Sequence, residues 1–138
     1  MDNPWREIVA EWKGDTAFLS QNNSGGTVVM GVTDLMIGMS PMELVLASLA
    51  GCTGSDVVNI LKKAQQPLQD LKISVRGKRA QEHPRVYTDI QIEFQFLGEG
   101  LDPQIIEKAI KLSEEKYCSV SAMLRETAKI SFSYQLQE

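Results

Sequence analysis

Ser40-Pro41-Met42-Glu43 opens the segment that most limits what this chain can become. Serine at an N-cap, proline at the first helical position and glutamate three residues after the serine make a capping box, so a helix starts here. It reads on as Leu44-Val45-Leu46-Ala47-Ser48-Leu49-Ala50-Gly51-Cys52 and is expected to continue to Ala64, where Gln66-Pro67 ends it. Up to Cys52 it is apolar nearly all round, which marks a buried helix rather than a surface one. Gly51 and Gly54 each cost roughly 1 kcal/mol in a helix interior relative to alanine, so another element is expected to approach closely beside Cys52. The apolar run Leu44 to Ser55 is too short to span a bilayer.

Sheet signals surround that helix. Arg6 to Trp12, Ala17 to Gln21 and Thr27 to Met30 read as a meander, turning at Lys13-Gly14-Asp15 and at Asn22-Asn23-Ser24-Gly25-Gly26. Gly31 to Met39 is expected to be a loop. Trp5 and Trp12 are seven apart on a strand and face opposite sides, one for the core and one for an interface. Two long strands follow the helix, about Leu71 to Arg79 and Arg85 to Leu97, joined by an exposed turn at Glu82-His83-Pro84. Ile90, Ile92, Phe94 and Phe96 alternate with Gln91, Glu93 and Gln95, giving one dry and one wet face. Asp102-Pro103 caps a second helix, in which Ile106, Ala109, Ile110, Ser113 and Tyr117 recur at helical spacing. A short third helix is expected from about Ser119 to Glu126, then a strand alternating Ile130, Phe132, Tyr134 and Leu136. The order predicts an α+β fold, a mostly antiparallel sheet with a long buried central helix. At 138 residues, one domain covering 1–138 is expected.

Charge narrows the function. Fourteen basic against eighteen acidic side chains, a net charge of −4, argue against nucleic acid and anionic membranes as partners. Met1-Asp2-Asn3-Pro4 is no secretory leader, so a cytoplasmic location is expected. Two cysteines and the single His83 fall short of the four ligands of a structural zinc site. No Gly-x-Ser-x-Gly elbow accompanies His83, and no glycine-rich phosphate loop is present. No cofactor and no metal are expected. Thiol chemistry, small-molecule binding or no chemistry remain.

Cys52 lies mid-helix and Cys118 at the start of a later helix. Two cysteines in a core are often only small hydrophobes. A functional role is favoured by the helix dipole at Cys118, which promotes thiolate, and by the hydroxyls of Ser48 and Ser55 on the helical face of Cys52. Asp56, four residues after Cys52, opposes thiolate formation if it faces the sulfur. No cation lies within nine residues either side of Cys52, so an activating Lys or Arg must come from the fold or another subunit.

The stretch Pro41 to Cys52, followed by Lys116-Tyr117-Cys118-Ser119-Val120-Ser121, resembles the osmotically inducible protein C (OsmC) and organic hydroperoxide resistance (Ohr) superfamily, and most of all its small OsmC-like proteins of unassigned role. The resemblance spans nearly the whole chain. It implies an intertwined homodimer on two central helices, with sites at the subunit interface. By motif, Cys52 is the peroxidatic cysteine, which attacks a hydrophobic organic hydroperoxide. Cys118 is the resolving cysteine, and an external dithiol reduces their disulfide. In the peroxidases a carboxylate ten residues before the first cysteine holds an arginine against it. Here that position is Met42, while Glu43, nine before, points about 180° away on an ideal helix. The arginine's turn reads Lys13-Gly14-Asp15, and Arg125 is a second source of positive charge. Glu43, Lys13 and Arg125 are thus the further catalytic candidates. The alternative is a non-catalytic binding protein, with Met30, Met36, Met39 and Met42 as the apolar rim of a ligand pocket.

Overall fold

A computed structural model describes residues 3–138, which fall into two compact units that divide between Val45 and Leu46. The first unit holds an antiparallel meander of β1 (Ile8–Trp12), β2 (Phe18–Asn22) and β3 (Thr27–Met30). Gly14 and Asp15 take positive φ in the first turn, and the Asn22 side chain accepts the Ser24 and Gly26 N–H groups in the second. The following loop is pinned by single bridges from Met30 to Met39 and from Val32 to Ile37. Its side chains point outward, with Leu35 at 94% and Ile37 at 89% exposure. Neither tryptophan enters a core. Trp5, ahead of β1, is 79% exposed and Trp12 is 67% exposed, because every residue of β1 is open in a single chain. Alternation sorts side chains by face, and in this sheet β1 has no covered face to receive either ring.

Helix α1 (Pro41–Lys63) starts in the first unit and runs through the second. The capping box forms: Glu43 N–H donates to Ser40 Oγ at 3.1 Å and Ser40 N–H to Glu43 Oε1 at 2.9 Å. Its 23 residues make it long and apolar enough, by length and composition alone, to cross a membrane. The helix is longer than the apolar run Leu44 to Ser55 because Val57, Val58, Ile60 and Leu61 continue it. Within the chain the helix buries one stripe, Leu49, Thr53, Gly54, Val57 and Leu61. Gly54 lies against strand β4 (Asp70–Arg79), where an added Cβ would come within 2.8 Å of Ile73 Cδ1. Gly51 faces open space, so the close approach expected beside Cys52 holds for one glycine of the pair.

The second sheet has the order β4-β5-β6, with β5 (Tyr87–Leu97) central and β6 (Lys129–Gln137) at its edge. β4 pairs antiparallel to β5, whereas β6 pairs parallel, Ile90 to Ile130 through Leu97 to Gln137. Ile90, Ile92, Phe94 and Phe96 are buried, as their alternation predicts. Phe94 stacks on Phe96 and Phe132, and Phe96 meets Tyr134 edge-on. Full burial of each such side chain is worth about 1.5–3 kcal/mol. Helix α2 (Pro103–Leu112) is capped by Asp102, which accepts the Gln104 N–H at 2.9 Å, and adds Ile106, Ala109 and Ile110 to the core. A single π turn, Ser113–Tyr117, then leads through Cys118 into α3 (Ser119–Leu124). The expected α+β architecture is present. His83 is exposed in the β4–β5 connection, and Lys72, Arg76, Lys78 and Arg79 are all exposed, the first three on one face of β4.

Candidate functional site

The π turn decides which side chain after α2 faces inward. Cys118 N–H donates to the Ser113 carbonyl at 2.8 Å, five residues back rather than four. That extra residue shifts the helical phase, so the position on the face of Ser113 is Cys118 and not Tyr117. Tyr117 is 51% exposed, correcting the helical periodicity that put it in the core, and Cys118 is 3% exposed.

Cys52 on α1 meets Cys118 there. The two Sγ atoms and a carboxylate oxygen of Asp56 all lie within 4.8 Å of one another, with Cys52 and Asp56 half-buried and both cysteines free. Cys118 Sγ accepts from Thr53 Oγ1 at 3.4 Å and from the Ser121 N–H at 3.3 Å. Ser113 Oγ donates to Asp56 Oδ2 at 2.9 Å, which fixes the carboxylate from the opposite helix. Asp56 therefore does stand near the sulfurs.

Electrostatics at Cys118 run against the expectation from the helix dipole. Burial pushes its thiol up from the usual range, and the hydrogen bond and charge of Cys52 push the same way. The Thr53 and Ser121 donors pull down but do not prevail. The six-residue α3 offers only partial charge at its end, and removal of water from the sulfur outweighs it.

The other candidates lie in separate settings. Glu43 is engaged by Ser40, whose backbone hydrogen bond holds its carboxyl below the usual carboxylate range. Lys13, in the first unit, pairs with Glu11 at 3.1 Å. Arg125 ends α3, and its charge draws down Glu114, whose carboxyl burial nevertheless raises. The hydrogen-bonding roles of Thr53, Ser113 and Ser121 at the site are not among the expectations from the sequence. Thr53 adjoins Cys52 and Ser121 is at N3 after Cys118, so both were readable from spacing, whereas Ser113 needed the tertiary fold. An open groove of about 480 Å³ runs beside α1 along Gly51, Gly54, Ser55, Val58, Leu71 and Ile73, but neither cysteine lines it.

A half-buried thiol facing a buried one, on two helices of an α+β fold, defines a cysteine-pair protein. The family model for OsmC-like protein matches residues 33–133, and the chain belongs to that family. Protein YhfA of Escherichia coli strain K12 is 36% identical over 126 residues, covering 91% of this chain and 94% of its own. The crystal structure of a hypothetical protein from Aquifex aeolicus VF5 is 38% identical with a TM-score of 0.84, over 99% of this chain and 100% of that one. A Legionella pneumophila protein described as an organic hydroperoxide resistance protein OsmC and predicted redox protein shares the fold at 13% identity, with a TM-score of 0.70 over 97% and 99% of the two chains. Family and paired cysteines are together consistent with a redox function.

Proposed function

We propose that this chain, acting as one domain over residues 1–138 and as a homodimer in the cytoplasm, reduces organic hydroperoxides through Cys52 and Cys118. The observation that carries this reading is the approach of the two sulfurs to within 4.8 Å, one half-buried and the other buried. Cys52 takes the attacking role because a peroxide can reach it. Its thiolate attacks the O–O bond, giving a sulfenic acid and an alkoxide that leaves as the alcohol after taking a proton. The Cys118 sulfur then attacks the sulfenic sulfur. A disulfide forms and the sulfenic oxygen departs as water with the thiol proton. An external dithiol reduces the disulfide by exchange, taking up the oxidation itself. A cytoplasmic setting supplies such reductants and suits a transient bridge. Lys13 and Arg125 are the two cations offered for activating Cys52. Glu43 belongs to the same proposed set but has a capping duty that already accounts for it.

Intact-mass measurement after one equivalent of an alkyl hydroperoxide, followed by alkylation, tests the pair. Loss of both free thiols with a Cys52–Cys118 bridge is expected. Cys52→Ser abolishes turnover, and Cys118→Ser leaves one stoichiometric reaction that stops at the sulfenic acid. Wild-type turnover by Cys52→Ser would refute the assignment. Separate Lys13→Ala and Arg125→Ala variants identify the activating cation, by an upward shift in the pH at which Cys52 reacts.

Asp56 favours a second reading. A carboxylate beside both sulfurs opposes thiolate formation, as a protein that only binds a small apolar ligand could tolerate. Two unreacted thiols after the peroxide would select it.

A further inference from the structure

The thiol chemistry above gives Asp56 no task. Its carboxylate shares one site with two sulfurs, three groups that are each negative when ionised. Among the described residues no Lys or Arg lies within ion-pair distance of it. Groups of like charge this close suppress one another's ionisation, and a bound divalent cation reverses that. We propose that the reduced protein binds a thiophilic divalent cation of the zinc class through Cys52 Sγ, Cys118 Sγ and the Asp56 carboxylate, with a fourth position open.

The donor set suits a borderline-soft ion, since thiolates disfavour magnesium and calcium, and three protein ligands with an open position make an open zinc site. Ideal tetrahedral bonds place the sulfurs about 3.8 Å apart and each sulfur about 3.6 Å from the oxygen. From separations of up to 4.8 Å, this asks the side chains to close by roughly 1 Å. The outer partners are already in position. Ser113 Oγ holds Asp56, and Thr53 Oγ1 and the Ser121 N–H hold the Cys118 sulfur. Hydrogen bonds of this kind orient ligands and tune their affinity. Ser121 also keeps a fully buried Oγ that has no hydrogen-bond partner among the described residues. Binding displaces two thiol protons to the buffer, so affinity rises with pH. The site holds fewer Cys and His than a structural zinc site needs because its third donor is a carboxylate.

The test is anaerobic titration of reduced, metal-free protein with Co²⁺, followed by displacement with Zn²⁺. One ion per chain is expected, with a near-ultraviolet thiolate-to-cobalt band of two-thiolate intensity and visible bands of tetrahedral cobalt. Asp56→Asn keeps both sulfurs and weakens binding by at least about tenfold, and Ser113→Ala weakens it by about tenfold with the band intensity kept. Absence of the near-ultraviolet band, one-thiolate intensity, or wild-type affinity in Asp56→Asn would overturn the proposal. The wild-type band alone counts the thiolates, so the test stands even if a variant fails to fold. No oxidant is present, so its result is separate from that of the peroxide experiment.

Discussion

At Cys118, burial removes the water that would solvate a thiolate, and the neighbouring Cys52 adds to the effect. The folded thiol therefore holds its proton to higher pH than the unfolded one. Its contribution to stability is complete below the ordinary thiol range and is lost as pH rises through the folded value. Urea midpoints at pH 7, 8, 9 and 10 should fall more steeply for the wild type than for Cys118→Ala. Alkylation of the native protein at pH 8 should modify Cys52 well before Cys118, followed by peptide mapping. Equal rates would contradict the buried setting. At this scale the sequence was legible where local chemistry decides the outcome. Both cysteines, and Asp56 as their antagonist, could be named from spacing on α1 and from the motif around Cys118. The shift at Cys118 could not, since it depends on desolvation by elements far away in the chain.

Helix α1 carries its own start signal, and the capping box expected of Ser40 and Glu43 forms with both hydrogen bonds in place. Ser40→Ala should cost about 1 kcal/mol, read from the urea midpoint, because it removes a side-chain acceptor from the first turn. Glu43 has a lowered pKa from the same pairing, so its contribution is present above the unfolded carboxylate range and fades as pH falls through the folded value. The two helix glycines separate cleanly. Gly54 leaves room for the end of Ile73, while Gly51 meets nothing within the chain. Strand and helix positions were legible because each has a period and a punctuating Pro, Gly or Asp. The π turn was not. Ser113-Glu114-Glu115-Lys116-Tyr117 has ordinary helical residues, and only tertiary packing of Cys118 reveals the extra residue.

For the whole molecule, the exposed apolar side chains are concentrated in the first unit: Trp5, Ile8, Val9, Trp12, Leu35 and Ile37 among them. Exposure on this scale marks an interaction surface. Light scattering at micromolar concentration should give twice the chain mass, and charge placed at Leu35 and Ile37 together should shift it toward one. An unchanged dimer in that variant would put the interface elsewhere. The sequence pattern separated wet from dry faces correctly in the second unit, where β5 has a covered face. It failed for Trp5 and Trp12 because alternation reports a face and not what covers it. The parallel seating of β6 beside β5 carries one more consequence, for synthesis on the ribosome. β6 follows every other described element, yet it closes one edge of the strand that holds the core. Until Lys129–Gln137 has emerged, that edge of β5 keeps its backbone hydrogen-bonding groups unpaired, and a nascent chain stalled before this point is open to pairing with a strand from another copy.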